Sequence, residues 1–251
     1  MRIDAHVHLD GRNEFDERML QEADHYRVEK LCLSALGKGW PRVPSAEVFI
    51  EANTHVAEAI KRYPGRLLGF CYVNPVQQRE ALAEIDRCIG GLGFSGIKLW
   101  VACHADEPCV FPIVEKAIAL RVPVLQHTWY KKGGSENEPG ESTCEHYAAL
   151  ARRYPQAKLI AGHVGGDWER GIKVVKPCAN IVADVCGSDN YFGFVEMAVR
   201  ELGADRVVFG TDMPGRSMAS QIGKVIGADI SDADKEKILG ENVERLLRRE
   251  T

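Results

Sequence analysis

Eight short apolar runs, spaced along the whole chain and separated by turns and helical stretches, constrain the fold of this sequence more than any other feature. They are Ile3–His8, Lys30–Leu36, Leu67–Val73, Gly96–Trp100, Val122–Thr128, Lys158–His163, Ile181–Cys186 and Val207–Asp212. Each is rich in Val, Ile and Leu and nearly continuous, the pattern of parallel strands buried on both faces. Between them lie stretches of helical period. Glu47–Tyr63 places Val48, Ala52, Val56, Ala59 and Ile60 on one face and stops at Pro64-Gly65. Arg79–Ile89, Val110–Leu120, Glu145–Tyr154 and Phe194–Leu202 behave alike. A last helix starts at Ser231 as N-cap, has Asp234 in the capping-box position and carries Ile238, Val243, Leu246 and Leu247 on one stripe. This alternation predicts an α/β protein, a single (β/α)8 TIM barrel over residues 1–251. A doubly wound sheet is the rival, but it wants a phosphate loop after the first strand, and no G-x-G-x-x-G or Walker sequence follows Ile3–His8.

No linker or shift in composition marks a second domain. Two polar stretches stand out, Gly37–Ser45 and Tyr130–Glu141, and the second reads as a mobile lid over the barrel mouth. The formal net charge of −4, with both signs mixed along the chain, leaves no electrostatic footprint for nucleic acid or an anionic membrane. Arg2 and Asp4 interrupt any apolar leader at the start, and no stretch approaches the roughly 18 apolar residues of a membrane span. The eight cysteines include no C-x-x-C and read as reduced thiols in a cytoplasmic protein, with Cys32, Cys71 and Cys178 as small core residues.

The chemistry sits at the carboxyl ends of the predicted strands, where barrels of this kind carry their active sites. His6 and His8 end the first strand. Two apart on a strand, they point the same way with Cα atoms roughly 6.5 Å apart, which suits two imidazoles closing on one metal ion. Lys98 lies on the fourth strand, and His127, His163 and Asp212 end the fifth, sixth and eighth. A lone histidine at a strand end is an ordinary core residue; five histidine and aspartate residues in one register are not.

The set of motifs, H-x-H at His6 and His8, G-I-K-L at Lys98, Q-H-T at His127, G-H-V-G-G at His163 and G-T-D-M-P at Asp212, resembles the amidohydrolase superfamily. The similarity is greatest to its amidohydrolase-related branch, the aminocarboxymuconate semialdehyde decarboxylase-like group, and it runs through the terminal Ile238–Asn242 segment. The resemblance implies that His6, His8, His127 and Asp212 bind a single divalent ion, with zinc expected. It makes His163 a general acid or base, or the residue that steers water on the metal, and gives Asp212 a second role as base. Lys98 stands where binuclear relatives carry a carboxylated lysine that bridges a second metal; here it is expected to face the substrate unmodified. A homodimer is the family expectation.

Beyond the ligands, Asp4 faces the same side as His6 and is expected to orient a ligand histidine, with Asp184 in a similar part. Trp100, His104, Trp129 and Arg216, together with Arg12, follow strand ends and are candidates for binding a small-molecule substrate. Cys103 and Cys186 fall near the mouth, with no histidine partner visible in sequence. The expected reaction is hydrolysis of an amide, lactone or ester by metal-activated water. The alternative is a lyase, a non-oxidative decarboxylase or hydratase of a small carboxylic acid. A metal-free barrel is the third reading, which the complete ligand set disfavours.

Overall fold

The structure, a computed structural model, describes residues 1–131, 135–187 and 190–249. Its eight strands are β1 (Arg2–His8), β2 (Val28–Ser34), β3 (Leu67–Tyr72), β4 (Gly96–Leu99), β5 (Val124–Trp129), β6 (Leu159–Gly165), β7 (Ile181–Asp184) and β8 (Val207–Val208). All pair in parallel in the order β1 to β8. The segment after β8 returns to β1 through Ala5 N–H to Phe209 O (3.0 Å), Asp212 N–H to His6 O (2.7 Å) and His8 N–H to Met213 O (2.8 Å). The result is the TIM barrel expected from the alternation.

Helices α1 (Arg18–His25), α2 (Ala46–Arg62), α3 (Gln78–Ile85), α4 (Phe111–Leu120), α5 (Cys144–Arg153), α6 (Trp168–Val175), α7 (Phe194–Leu202) and α8 (Met218–Ile226) lie between and after the strands. Two short helices follow, α9 (Asp232–Glu236) and α10 (Asn242–Leu247). Ser231 caps α9 as its spacing predicts, its Oγ accepting from Asp234 N–H at 3.1 Å. The helices α1, α6 and α8 are additional to those expected from the sequence; α6 and α8 each contain a glycine.

Strand alternation stacks two layers inside the barrel. Phe70, Leu125, Ile160, Val182 and Val208 form an apolar cluster packed with Val243 and Leu246 of α10. Two residues further along the same strands, and so on the same face, come Tyr72, His127, Gly162, Asp184 and Gly210. The apolar layer is thus a floor, and the polar groups stand on it at the carboxyl end. A larger apolar layer, including Phe49, Val56, Ile85, Ile113, Tyr147 and Ile222, glues the helices to the outside of the strands.

Seven of the eight strand ends shift from expectation, most by one or two residues and the last by four. The eighth ladder stops at Val208 and the seventh at Asp184, short of Asp212 and Cys186. Close to the rim, a Cβ on Gly210 would stand 2.6 Å from Asp184 Oδ1 and 2.9 Å from His6 Cβ, so only glycine fits there while the chain still bonds β1 through Phe209 O, Asp212 N–H and Met213 O. Asp212 then takes a left-handed backbone conformation (φ 63°) that turns its carboxylate back over the barrel.

Candidate metal centre

Strand β1 delivers His6 and His8 to the barrel axis, and their Nε2 atoms meet at 3.0 Å. The other nitrogen of each ring is tied from behind. His6 Nδ1 lies 2.8 Å from Asp184 Oδ2, and His8 Nδ1 lies 2.9 Å from Ser34 Oγ. Asp212 Oδ1 closes the group, 3.5 Å from His8 Nε2 and 3.8 Å from His6 Nε2. Asp4 does not touch a ligand ring. It accepts from the backbone N–H of His6 and of Thr211 (both 3.0 Å) and from Thr211 Oγ1 (2.6 Å), so it pins β1 to the segment that carries Asp212. The ring-orienting part expected of Asp4 belongs to Asp184.

Burial dominates the electrostatics. It lowers the pKa of His6, His8, His127 and His163, with nearby Lys98 adding to the effect on the first three, and keeps these imidazoles neutral with lone pairs available. Burial also pushes Lys98, 1% exposed, down to about 8, opposed by Asp212. Asp212 goes the other way. Burial by itself would raise it, and His163, His8 and His6 pull its carboxyl below the usual range whenever those rings carry a proton.

These groups fit a divalent cation. With Nδ1–H of His6 given to Asp184 and Nδ1–H of His8 to Ser34, both Nε2 atoms present bare lone pairs to one point beside a carboxylate oxygen. Two nitrogens on one tetrahedral ion at about 2.0–2.1 Å would stand about 3.3 Å apart, close to the spacing here. Lys98 Nζ lies 2.8 Å from His6 Nε2, within donating distance of that lone pair.

His127 lines the same cavity but stands outside the close group; among the described residues, the ligand atoms mutually within 4.8 Å on this side are those of His6, His8 and Asp212. Its Nε2 lies 3.1 Å from Glu141 Oε1, which leaves Nδ1 as the nitrogen for a ligand. Glu141 went unread in the sequence. It ends the polar stretch taken for a mobile lid, yet it is buried and also faces Lys131 Nζ at 3.6 Å. That stretch therefore reaches into the site at its end; its residues 132–134 lie outside the described residues.

Above the group opens a cavity of about 230 Å³, lined by His8, Lys98, His127, His163 and Asp212 and walled by Trp40, Trp100, Pro214 and Arg216. Lys98, Trp100 and Arg216 are thus where a substrate would meet them. Trp40 was missed, because the polar Gly37–Ser45 stretch shows no register; Arg42 of the same stretch packs over the Trp100 ring (4.9 Å) and bonds Glu138 (2.7 Å). Trp129 does not line the cavity. It stacks on His127 (6.2 Å, 16°) and meets His163 edge-on (5.6 Å). His104 is placed elsewhere: its ring stacks on His146 at 4.3 Å and faces Glu107 at 3.3 Å. Arg12 pairs with Asp10 in solvent. No described helix is long and apolar enough to cross a membrane.

Comparison with known proteins follows the same lines. The profile of the amidohydrolase family matches residues 3–249. The chain is 26% identical to 2-amino-3-carboxymuconate-6-semialdehyde decarboxylase of Dictyostelium discoideum over 234 residues, 78% of this chain but only 65% of that enzyme. It is 25% identical to gamma-resorcylate decarboxylase of a Polaromonas species over an alignment of 289 positions, covering 94% and 88% of the two chains. The crystal structure of a dihydroxybenzoic acid decarboxylase from Polaromonas, with manganese and the inhibitor 2-nitroresorcinol, superposes with a TM-score of 0.79 at 21% identity over 98% and 96% of the chains. These relatives are decarboxylases. The expectation of a hydrolase is corrected by that finding, in favour of the alternative lyase reading. The ion in the Polaromonas structure is manganese, not the zinc expected from the resemblance.

Proposed function

Because the chain belongs to the amidohydrolase family, we propose that it is a metal-dependent, non-oxidative decarboxylase of a small aromatic carboxylic acid. One observation carries the reading: His8 and Asp212, with the His6 nitrogen 3.0 Å behind His8 Nε2, stand at a small cavity walled by indoles and by the amine of Lys98. The volume of about 230 Å³ suits a single substituted ring. His6, His8, His127 and Asp212 would hold the divalent ion, manganese or zinc. The chemistry such an ion supplies when bound is Lewis-acid anchoring of a carboxylate or phenolate oxygen.

The remaining work falls to side chains of the chain. Trp40 and Trp100 bury the ring and exclude water, and Lys98 and Arg216 attract the carboxylate. For an acid with a hydroxyl beside the carboxylate, His163 takes the hydroxyl proton and returns it to the ring carbon that bears the carboxylate. The carbon–carbon bond then breaks, its electron pair returns to the ring, and carbon dioxide leaves. The resulting phenolate takes one proton from solvent, so the net change is loss of carbon dioxide and uptake of a proton. The test is a panel of hydroxybenzoates and amino-substituted unsaturated acids with manganese-loaded protein in D2O. Release of carbon dioxide with one deuterium at the vacated carbon is expected; turnover of amides or lactones with none of the acids would overturn the reading.

A further inference from the structure

Behind the wall of the cavity, one thiol touches three groups of the site. Cys186 Sγ lies 2.9 Å from Asp184 Oδ2, 3.1 Å from His163 Nδ1 and 3.3 Å from His6 Nδ1. All four residues are buried. Counting protons fixes the direction of these contacts. With the backbone N–H of Cys186 on Oδ1 (2.9 Å) and the Nδ1–H of His6 given to Oδ2 (2.8 Å), Asp184 is engaged as an acceptor on both oxygens. The thiol has one hydrogen, and the carboxylate is both the nearer and the stronger acceptor. The sulfur can then meet His163 Nδ1 only by accepting from it.

The backbone points the same way. His163 and Val164 are both left-handed (φ 65° and 45°), a conformation that non-glycine residues rarely adopt. Opposite them Gly187 has φ +108°, and a Cβ there would stand 3.0 Å from His163 Nδ1. A strained strand end and a glycine turn thus press the Nδ1 edge of the ring against the sulfur. The Nε2 edge, which bonds no described residue, is left to the cavity that His163 lines.

We propose that Cys186 is a positioning residue: it fixes His163 in the Nδ1–H tautomer and leaves Nε2 as a bare proton acceptor facing the substrate. The tautomer stands on the geometry alone; its effect on rate rests on the decarboxylase reading. Ser34 and Asp184 hold His8 and His6 through Nδ1 in the same way, so this face of the barrel sets three imidazoles to one tautomer.

The tautomer is read directly from two-bond 1H–15N correlations of histidine-labelled, zinc-loaded protein, with the His163 signals identified by their loss in His163→Gln. Wild type is expected to show His163 protonated at Nδ1 and bare at Nε2. Cys186→Ala removes the acceptor; the Nε2–H form then appears, and kcat falls about ten- to hundredfold while KM and bound metal stay unchanged. Cys186→Ser can donate to Asp184 and accept from His163, and it should keep the tautomer and recover most of the rate. A wild-type His163 protonated at Nε2, or an unchanged tautomer in Cys186→Ala, overturns the proposal. Should Cys186→Ala fail to fold, the wild-type spectrum and Cys186→Ser still decide it. Failure of every acid to turn over would sink the decarboxylase reading and leave the tautomer result standing.

Discussion

Replacing Asp184 by Asn keeps shape and removes charge behind the metal centre, and its effect can be worked through atom by atom. The carboxylate accepts on both oxygens: Oδ1 from Cys186 N–H at 2.9 Å, Oδ2 from His6 Nδ1–H at 2.8 Å and from the Cys186 thiol at 2.9 Å. An amide has one oxygen and one NH2. With NH2 toward His6, the ring must accept at Nδ1 and carry its hydrogen on Nε2, where the metal lone pair should be. With NH2 toward the Cys186 amide, two donors face each other at 2.9 Å. Either way one charge-assisted bond is lost, about 1.5–3 kcal/mol. At 1.4 kcal/mol per factor of ten, divalent-ion affinity should fall about ten- to hundredfold. Ser34→Ala removes only a neutral bond behind His8 and should cost about three- to tenfold. Chelator competition with manganese and with zinc measures both, with far-UV circular dichroism and a thermal melt as the check on folding. Affinities equal to wild type in a folded Asp184→Asn, or a larger loss for Ser34→Ala, would refute the assignment of His6 Nε2 as a ligand.

Removing the ion with a chelator should abolish turnover, and adding manganese should restore it; turnover that survives exhaustive chelation would contradict the metal centre. Asp212→Ala should lose both metal and activity, whereas His163→Ala should keep its metal and lose rate, as read by elemental analysis beside a carbon dioxide assay. Glu141→Gln should weaken metal retention less than Asp212→Ala, because its carboxylate meets His127 Nε2 from behind (3.1 Å) and does not face the close group; the same chelator titration measures it. In the core, Phe49→Ala should cost about 3–5 kcal/mol in urea unfolding, since the ring is fully buried between α2 and the sheet.

What the sequence by itself determined is the periodic part. Strand and helix periods depend on residues near one another in the chain, and so the barrel and the facing of His6 and His8 were both legible, as were the capping of α9 and the coincidence of His127, His163 and Asp212 at the barrel's carboxyl rim. Only the tertiary structure decided the relations among distant residues. Asp184, not Asp4, bonds the His6 ring, because a strand pattern gives a side chain's face but not which of two carboxylates reaches across 178 positions to His6 Nδ1. Glu141 and Trp40 lie in polar stretches without period, where sequence gives no register, and His104 left the mouth because the loop after β4 turns it onto His146. Cys186 had no histidine neighbour in the chain and gained two in space. Periodicity is local and repeats itself; a site built at a barrel rim is made from single residues of separate strands, and only the closing of the barrel sets the distances between them.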